Sequence, residues 1–316
     1  VFKLPDDGSG ALPTLRHIIV NDDKASSYKL GLLRTLTRLA DSAPGIVISR
    51  TEEWVTVPLG AVGLFWLKLY RPLVIEHYFR QAPGNRGYGF AKDDFYRLKL
   101  VSPHDLRIGS PFYDPQVAAM VMRAIRDACL TILRMPTHFT TWPGSQRPIF
   151  DGNSQSLRIR ERAIRLDSDT LASFGTYSIP TQLWDSMSRY ACWLESAIVH
   201  EWVQLMQRYD ANYDIGNLHQ ALQWQESRRD TQQVKLLVNQ RLKDPTPLPC
   251  VWSQNDLHHW AFAVDHCFPW PRWNNNDLWN LLPTTEKVNQ AKSDRLPSAG
   301  VMQNAKQDIL QWWRYL

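Results

Sequence analysis

Apolar residues recur at three- and four-residue steps through much of this chain, most clearly after Pro180. There Trp184, Met187, Ala191, Leu194, Ile198, Trp202, Leu205 and Tyr209 fall on one helical face. The spacing predicts one long amphipathic helix, a turn at Tyr213–Gly216, and a second helix from Asn217 to Lys243 that the Pro-rich segment Asp244–Pro249 ends. Nearer the start, Ser26 and Ser27 are suited to cap a helix carrying Leu32, Leu33, Leu36 and Leu39, which closes near Pro44-Gly45. From Pro58, a first-turn proline, to Tyr70 the chain is apolar nearly all round. This predicts a buried core helix that Pro72 bends or ends. Another helix is expected from Pro115 to Met135. The turn-rich loop from Gln81 to Phe90 has several glycines but no G-x-x-x-x-G-K, and it follows a helix rather than a strand. It therefore does not read as a phosphate cradle.

Between Pro136 and Phe174 the pattern changes to short strands and turns. Ser156–Arg165 is the most basic segment. Read as a strand, it sets Arg158, Arg160 and Arg162 on one face and Leu157 and Ile159 on the other. Such an arginine row suits phosphate neutralisation, and a solvated edge strand guarded by charge is an equal reading. The elements together predict an α+β protein. A mostly helical region with a small β element (about 136–174) spans 1–179, a helical hairpin 180–247, a compact module 248–300, and a C-terminal helix 301–316.

Composition narrows the class. The chain has 316 residues, 44 % of them hydrophobic and 21 % charged, which excludes a disordered or collagen-like protein. The longest apolar stretch, Val55–Leu67, is interrupted by Thr56 and Pro58 and is too short to span a bilayer. Residues Val1–Gly8 lack a signal-peptide core. Cysteines 129, 192, 250 and 267 form no C-x-x-C, so reduced thiols and a cytoplasmic location are expected. His200-Glu201 begins like the H-E-x-x-H of zinc proteases, but position 204 is Gln, so that reading fails.

The chemistry gathers near the C-terminal end. Phe262–Val264 alternates as a short strand and delivers Asp265 and His266 just before a loop closed by Pro269. Leu278–Leu282 reads as a second strand. Thr284–Asp294 reads as a helix, with Thr284 or Thr285 as cap and Glu286 in its first turn. This β–β–α arrangement brings an Asp, a His and a helix-borne Asn together. Hard oxygen ligands suit Mg²⁺ or Mn²⁺, and a neutral His beside the metal is suited to deprotonate a water. The combination reads as a one-metal phosphodiesterase.

These residues resemble the HNH (ββα-metal) endonuclease motif. Val264-Asp-His-x-x-Pro269, Asp277-Leu-Trp-Asn-Leu-x-Pro283 and Asn289-x-x-Lys-Ser-Asp-x-Leu-Pro297 carry the likeness, which extends to the HNH domain of RNA-guided CRISPR nucleases and to many bacterial HNH proteins. The resemblance implies that Asp265 and Asn289 bind one Mg²⁺ or Mn²⁺ and that His266 is the general base. It implies that Asn280 braces the loop holding His266 and that Lys292 faces a phosphate. It also implies DNA as substrate, a 5′-phosphate and a 3′-hydroxyl as products, and a role in bacterial defence against foreign DNA. RNA, protein subunits of a defence or RNA-guided complex, or a second copy are the further implied partners, and no membrane is. A non-cutting DNA-binding module is the competing reading, against which the intact motif residues argue.

One departure stands out. Many relatives hold a structural zinc with two C-x-x-C pairs, and here the corresponding positions are Cys250, Ser253, Thr285 and Val288. No structural zinc is expected, because tetrahedral closure needs four ligands. Burial of tryptophan is the expected substitute: Trp252, Trp260, Trp270, Trp273, Trp279, Trp312 and Trp313 are half of the chain's 14. His258 and His259 are read as residues facing solvent or DNA rather than as ligands. From Leu248 onward basic and acidic residues balance at six each, so the whole net charge of +5 lies in residues 1–247. A polyanion-binding surface is therefore expected in that part.

Overall fold

The computed structural model describes residues 8–84, 87–224, 229–270 and 276–316. Asn85 and Arg86 of the glycine-rich loop, residues 225–228 of the expected second helix, and Trp273 lie outside the described residues. The chain divides into two compact units, Val1–Gln225 and Glu226–Leu316, and the buried apolar residues form a separate core in each.

The first unit is helix-rich with scattered strands. Its elements begin with α1 (Ala11–Arg16), α2 (Tyr28–Ser42), β1 (Ser49–Arg50), β2 (Trp54–Pro58), α3 (Leu59–Arg71), α4 (Asp93–Arg97), β3 (Pro111–Phe112) and α5 (Pro115–Ile132). They continue with β4 (Asp151–Ser154), β5 (Ile164–Arg165), α6 (Ser168–Ala172), β6 (Gly175–Pro180), α7 (Thr181–Arg189), α8 (Ala191–Tyr209) and α9 (Ile215–Ala221). The apolar α3 is the centre, buried along nearly its whole length and packed on α2 and α5. Strands β1, β2, β6 and β4 form an antiparallel sheet, with Val55 opposite Ile179 and Tyr177 between Val57 and Gly152. β3 and β5 pair separately.

Three expectations are corrected here. The long helix after Pro180 is two helices, broken at Tyr190 (φ −111°, ψ 19°), whose carbonyl accepts the N–H groups of Trp193 and Leu194 and starts α8. The helix expected from Asn217 to Lys243 is also two pieces, α9 and α10 (Gln232–Arg241). α10 buries Val234 and Val238 in the core of the second unit. Finally, most of the basic segment is no strand. Only Ile164 and Arg165 pair, as β5, and residues 156–163 lie in no strand, although the predicted alternation survives: Leu157 and Ile159 are half-buried against the core and Arg158, Arg160 and Arg162 are exposed.

The second unit continues with β7 (Phe262–His266), β8 (Leu281–Thr285), α11 (Glu286–Lys292) and α12 (Ala299–Tyr315). β7 and β8 form an antiparallel hairpin in which Asp265 faces Leu282 and His266 faces Leu281. The second strand lies three residues later than its apolar run predicts. Leu278–Asn280 is a single 3-10 turn, closed by Asn280 N–H on the Asp277 carbonyl at 2.8 Å. Pro283 is tolerated in this two-stranded ribbon, and Thr284 and Thr285 favour extended backbone. Thr285 then caps α11, its Oγ1 accepting the Val288 N–H at 3.3 Å. α12 closes over the hairpin: Trp312 Nε1 donates to the Leu281 carbonyl at 3.0 Å and Trp313 Nε1 to the Trp279 carbonyl at 2.9 Å.

Candidate functional site

The last turn of β7 carries Asp265 and His266 into the unit's interior, where they are 2 % and 1 % exposed. Burying a carboxylate requires partners, and Asp265 has two. Its Oδ1 accepts from Lys292 Nζ at 3.1 Å and its Oδ2 from Trp252 Nε1 at 2.8 Å. Burial raises the Asp265 carboxyl above its ordinary range, opposed by Lys292 and Trp252. Burial holds the His266 imidazole below its ordinary value, opposed by a hydrogen bond to Asn276. Burial thus favours the neutral form of the ring.

Two elements hold the backbone around His266. Lys292 Nζ also donates to the His266 carbonyl at 2.8 Å. On the other side Asn280, fully buried, grips the next two residues. Its carbonyl accepts Cys267 N–H at 2.8 Å, its Oδ1 accepts Phe268 N–H at 2.8 Å, and its Nδ2 donates to the Phe268 carbonyl at 3.2 Å. The His266 side chain lies edge-on to Trp270, with ring centroids 5.3 Å apart, and its Nε2 is 3.2 Å from Asn276 Oδ1. Its Nδ1 is buried with no hydrogen-bond partner.

The structure thus brings Asp265, His266, Asn280 and Lys292 together. Lys292 does not point at solvent, where a phosphate would reach it, but braces Asp265 and His266. Asn289 lies one turn before Lys292 on α11, so both share the helix face from which Lys292 reaches Asp265. Arg158, Arg160 and Arg162 belong to the other unit, where they line a surface pocket with Asp169, Thr170 and Ser173. Sequence reasoning passed over Trp252 as a ligand of Asp265 and Asn276 as a partner of His266. The visible signal for Asn276 was the run Asn274-Asn275-Asn276 between the strands, which does not say which of the three is used.

At the positions where relatives carry zinc cysteines, hydroxyls and a valine stand beside one thiol. Cys250 Sγ lies 3.3 Å from Thr284 Oγ1, and Thr285 is occupied as the α11 cap. His258 is engaged as well, its Nδ1 2.7 Å from Asp256 Oδ1 and its Nε2 2.9 Å from the Asp244 carbonyl. Among the described residues, no group of three His, Cys, Asp or Glu side chains is placed to hold a metal. Asp265 nevertheless keeps room for one hard cation. Each carboxylate oxygen of Asp265 keeps acceptor capacity beyond its one hydrogen bond, and Mg²⁺ commonly takes one or two protein oxygens and completes its shell with water and phosphate.

Residues 8–222, more than half of the chain, match the family described as "Domain of unknown function (DUF8808)". The chain belongs to that family. Beyond the DUF8808 region, residues 252–298 match the family described as "HNH endonuclease". This stretch contains β7, β8 and α11 with every residue of the cluster, so a C-terminal HNH-type domain is present. Nothing among curated proteins or solved structures matches the chain. Among the described residues, no helix is long and apolar enough to cross a membrane.

Proposed function

We propose that this protein is a metal-dependent endonuclease that hydrolyses DNA phosphodiester bonds through its HNH-type domain. The observation that carries the reading is the meeting of a buried His266, one nitrogen of which has no partner, with Asp265 and α11 inside the stretch that matches HNH endonucleases. An unpaired buried polar atom costs about 1–3 kcal/mol, and here it leaves a ring nitrogen able to take a proton. In this mechanism His266 takes a proton from the attacking water. Asp265 and Asn289 would hold one Mg²⁺ or Mn²⁺, which when bound offsets the charge developing on the phosphate and the leaving oxygen. Lys292 keeps Asp265 ionised and aimed, and Asn280 fixes the loop that sets the depth of the ring. The DUF8808 region selects the DNA, or a partner, in defence against foreign DNA. Its net charge of +4 over residues 8–222 supports a polyanion.

Incubating the full-length protein with duplex and single-stranded DNA tests the proposal. Cleavage is expected with Mg²⁺ or Mn²⁺, to be lost with a chelator, and to fall by about 100-fold or more in His266→Ala. Undiminished cutting by His266→Ala, or no cutting by the wild type with either metal, would sink the assignment.

A further inference from the structure

Which ring nitrogen of a histidine bears the proton decides what the ring can do, and the partner of the other nitrogen sets that choice. Asn276 Oδ1 lies 3.2 Å from His266 Nε2, and the same oxygen accepts the backbone N–H of Asp230 at 3.1 Å. A backbone amide only donates. This atom of Asn276 is therefore an acceptor, and the hydrogen in its bond to the ring must come from Nε2. In the neutral ring the lone pair is then on Nδ1, the nitrogen that is buried without a partner. The anchor is itself anchored: the Asp230 carboxylate accepts the Gln232 N–H at 2.8 Å, so the amide that pins Asn276 is fixed at the start of α10.

We propose that Asn276 is a positioning residue for His266, locking the ring in the Nε2–H tautomer so that Nδ1 is the atom that takes the proton. The inference rests on the nuclease reading for its chemistry and on hydrogen-bond geometry for its structure. In the reaction the water oxygen bonds to phosphorus as the bond to the 3′-oxygen breaks. The water proton passes to Nδ1, and the 3′-oxygen takes a proton from solvent. The imidazolium so formed still donates its Nε2–H to Asn276 and returns the Nδ1 proton to solvent. Substituting Asn276 does not remove the base. It frees the ring to place its proton on Nδ1, where the lone pair is needed.

The test is ¹⁵N NMR of the histidine side chains in the full-length protein without DNA, with His266→Gln identifying the resonances. In the wild type, His266 is expected to show a pyrrole-like Nε2 and a pyridine-like Nδ1. Asn276→Ala should move both shifts toward the average of two tautomers, whereas Asn276→Asp, which keeps an acceptor, should retain the Nε2–H. In cleavage assays Asn276→Ala should lower kcat by about 10-fold or more and leave KM within about two-fold. A wild-type His266 protonated on Nδ1 overturns the proposal, and so does an Asn276→Ala spectrum identical to the wild type. The wild-type spectrum decides even where the alanine variant fails to fold. Absence of cleavage by a wild type with the expected tautomer would overturn the nuclease reading and leave the tautomer assignment standing.

Discussion

Lys292 sits between two acceptors, Asp265 Oδ1 and the His266 carbonyl, with only 11 % of its side chain exposed. A lysine that merely touched phosphate would contribute little to stability without DNA. This one neutralises a carboxylate that is 3 % exposed, and removing one partner of a buried pair costs about 3–5 kcal/mol. Urea unfolding of Lys292→Met should show a loss of about 3 kcal/mol, and an unchanged midpoint would return the residue to a role at the phosphate alone. His258 offers a second measurement. Both its ring nitrogens face acceptors, Asp256 Oδ1 and the Asp244 carbonyl, which only the imidazolium can satisfy together. The hydrogen bond to Asp256 accordingly raises the His258 pKa, while the bond to His258 holds Asp256 down at about 2. A raised histidine stabilises the fold fully below the unfolded value of about 6.5, and that contribution is lost as pH rises through the folded value. Asp256 stays ionised throughout that window. The gap in melting temperature between wild type and His258→Gln should therefore shrink as pH rises above about 6.5, and a gap independent of pH would refute the charged pair. Asp265, His266 and Asn280 were legible in the sequence because their spacing in the hairpin and in the turn that leads into its second strand is a local property. The partners Trp252, Asn276 and Asp230 were not, since each reaches its contact through the fold of the unit rather than through a fixed offset along the chain.

Helix α3 shows how the same contrast works for elements. Its apolar run and the prolines at both ends made it readable, and its closeness to α5 is written in Gly63. A Cβ there would lie 2.7 Å from Cys129 Sγ and 3.1 Å from the Ile125 carbonyl oxygen. Gly63→Ala gains helix propensity but overpacks this crossing, so a net loss of about 1–3 kcal/mol is expected in chemical denaturation. A stabilised variant would show that α3 and α5 can separate freely. Where reading failed, no local signal opposed the pattern. The helical period runs through Tyr190 without a proline or glycine, so the break between α7 and α8 has no mark in the sequence. Leu278–Leu282 is apolar but for Asn280, and such a run does not distinguish a turn from a strand by periodicity. The alternation at Leu157–Arg162 reports correctly which side chains are buried, yet alternation alone cannot supply a neighbouring strand.

Across the whole molecule, the net charge is shared between the two units, +3 in residues 1–225 and +2 in residues 226–316. The second core contains the cluster around His266, and the unit with DUF8808 carries Arg158, Arg160 and Arg162, all exposed. If these arginines track a DNA backbone, reversing them to Glu should weaken binding and make the slope of log K against log salt shallower by about 2.7 for three lost phosphate contacts, with the metal requirement unchanged. Binding that keeps its salt slope would remove them from the interface. The helix α12 has a consequence in time. The stretch 252–298 is synthesised before the indoles that cover it, and the carbonyls of Trp279 and Leu281 accept from Trp313 and Trp312. On a ribosome the hairpin therefore emerges before these two carbonyls have their indole donors, and its packing is completed only when residue 313 has cleared the exit tunnel. Any nascent fragment that stops short of it carries every residue of the cluster in an unfinished core.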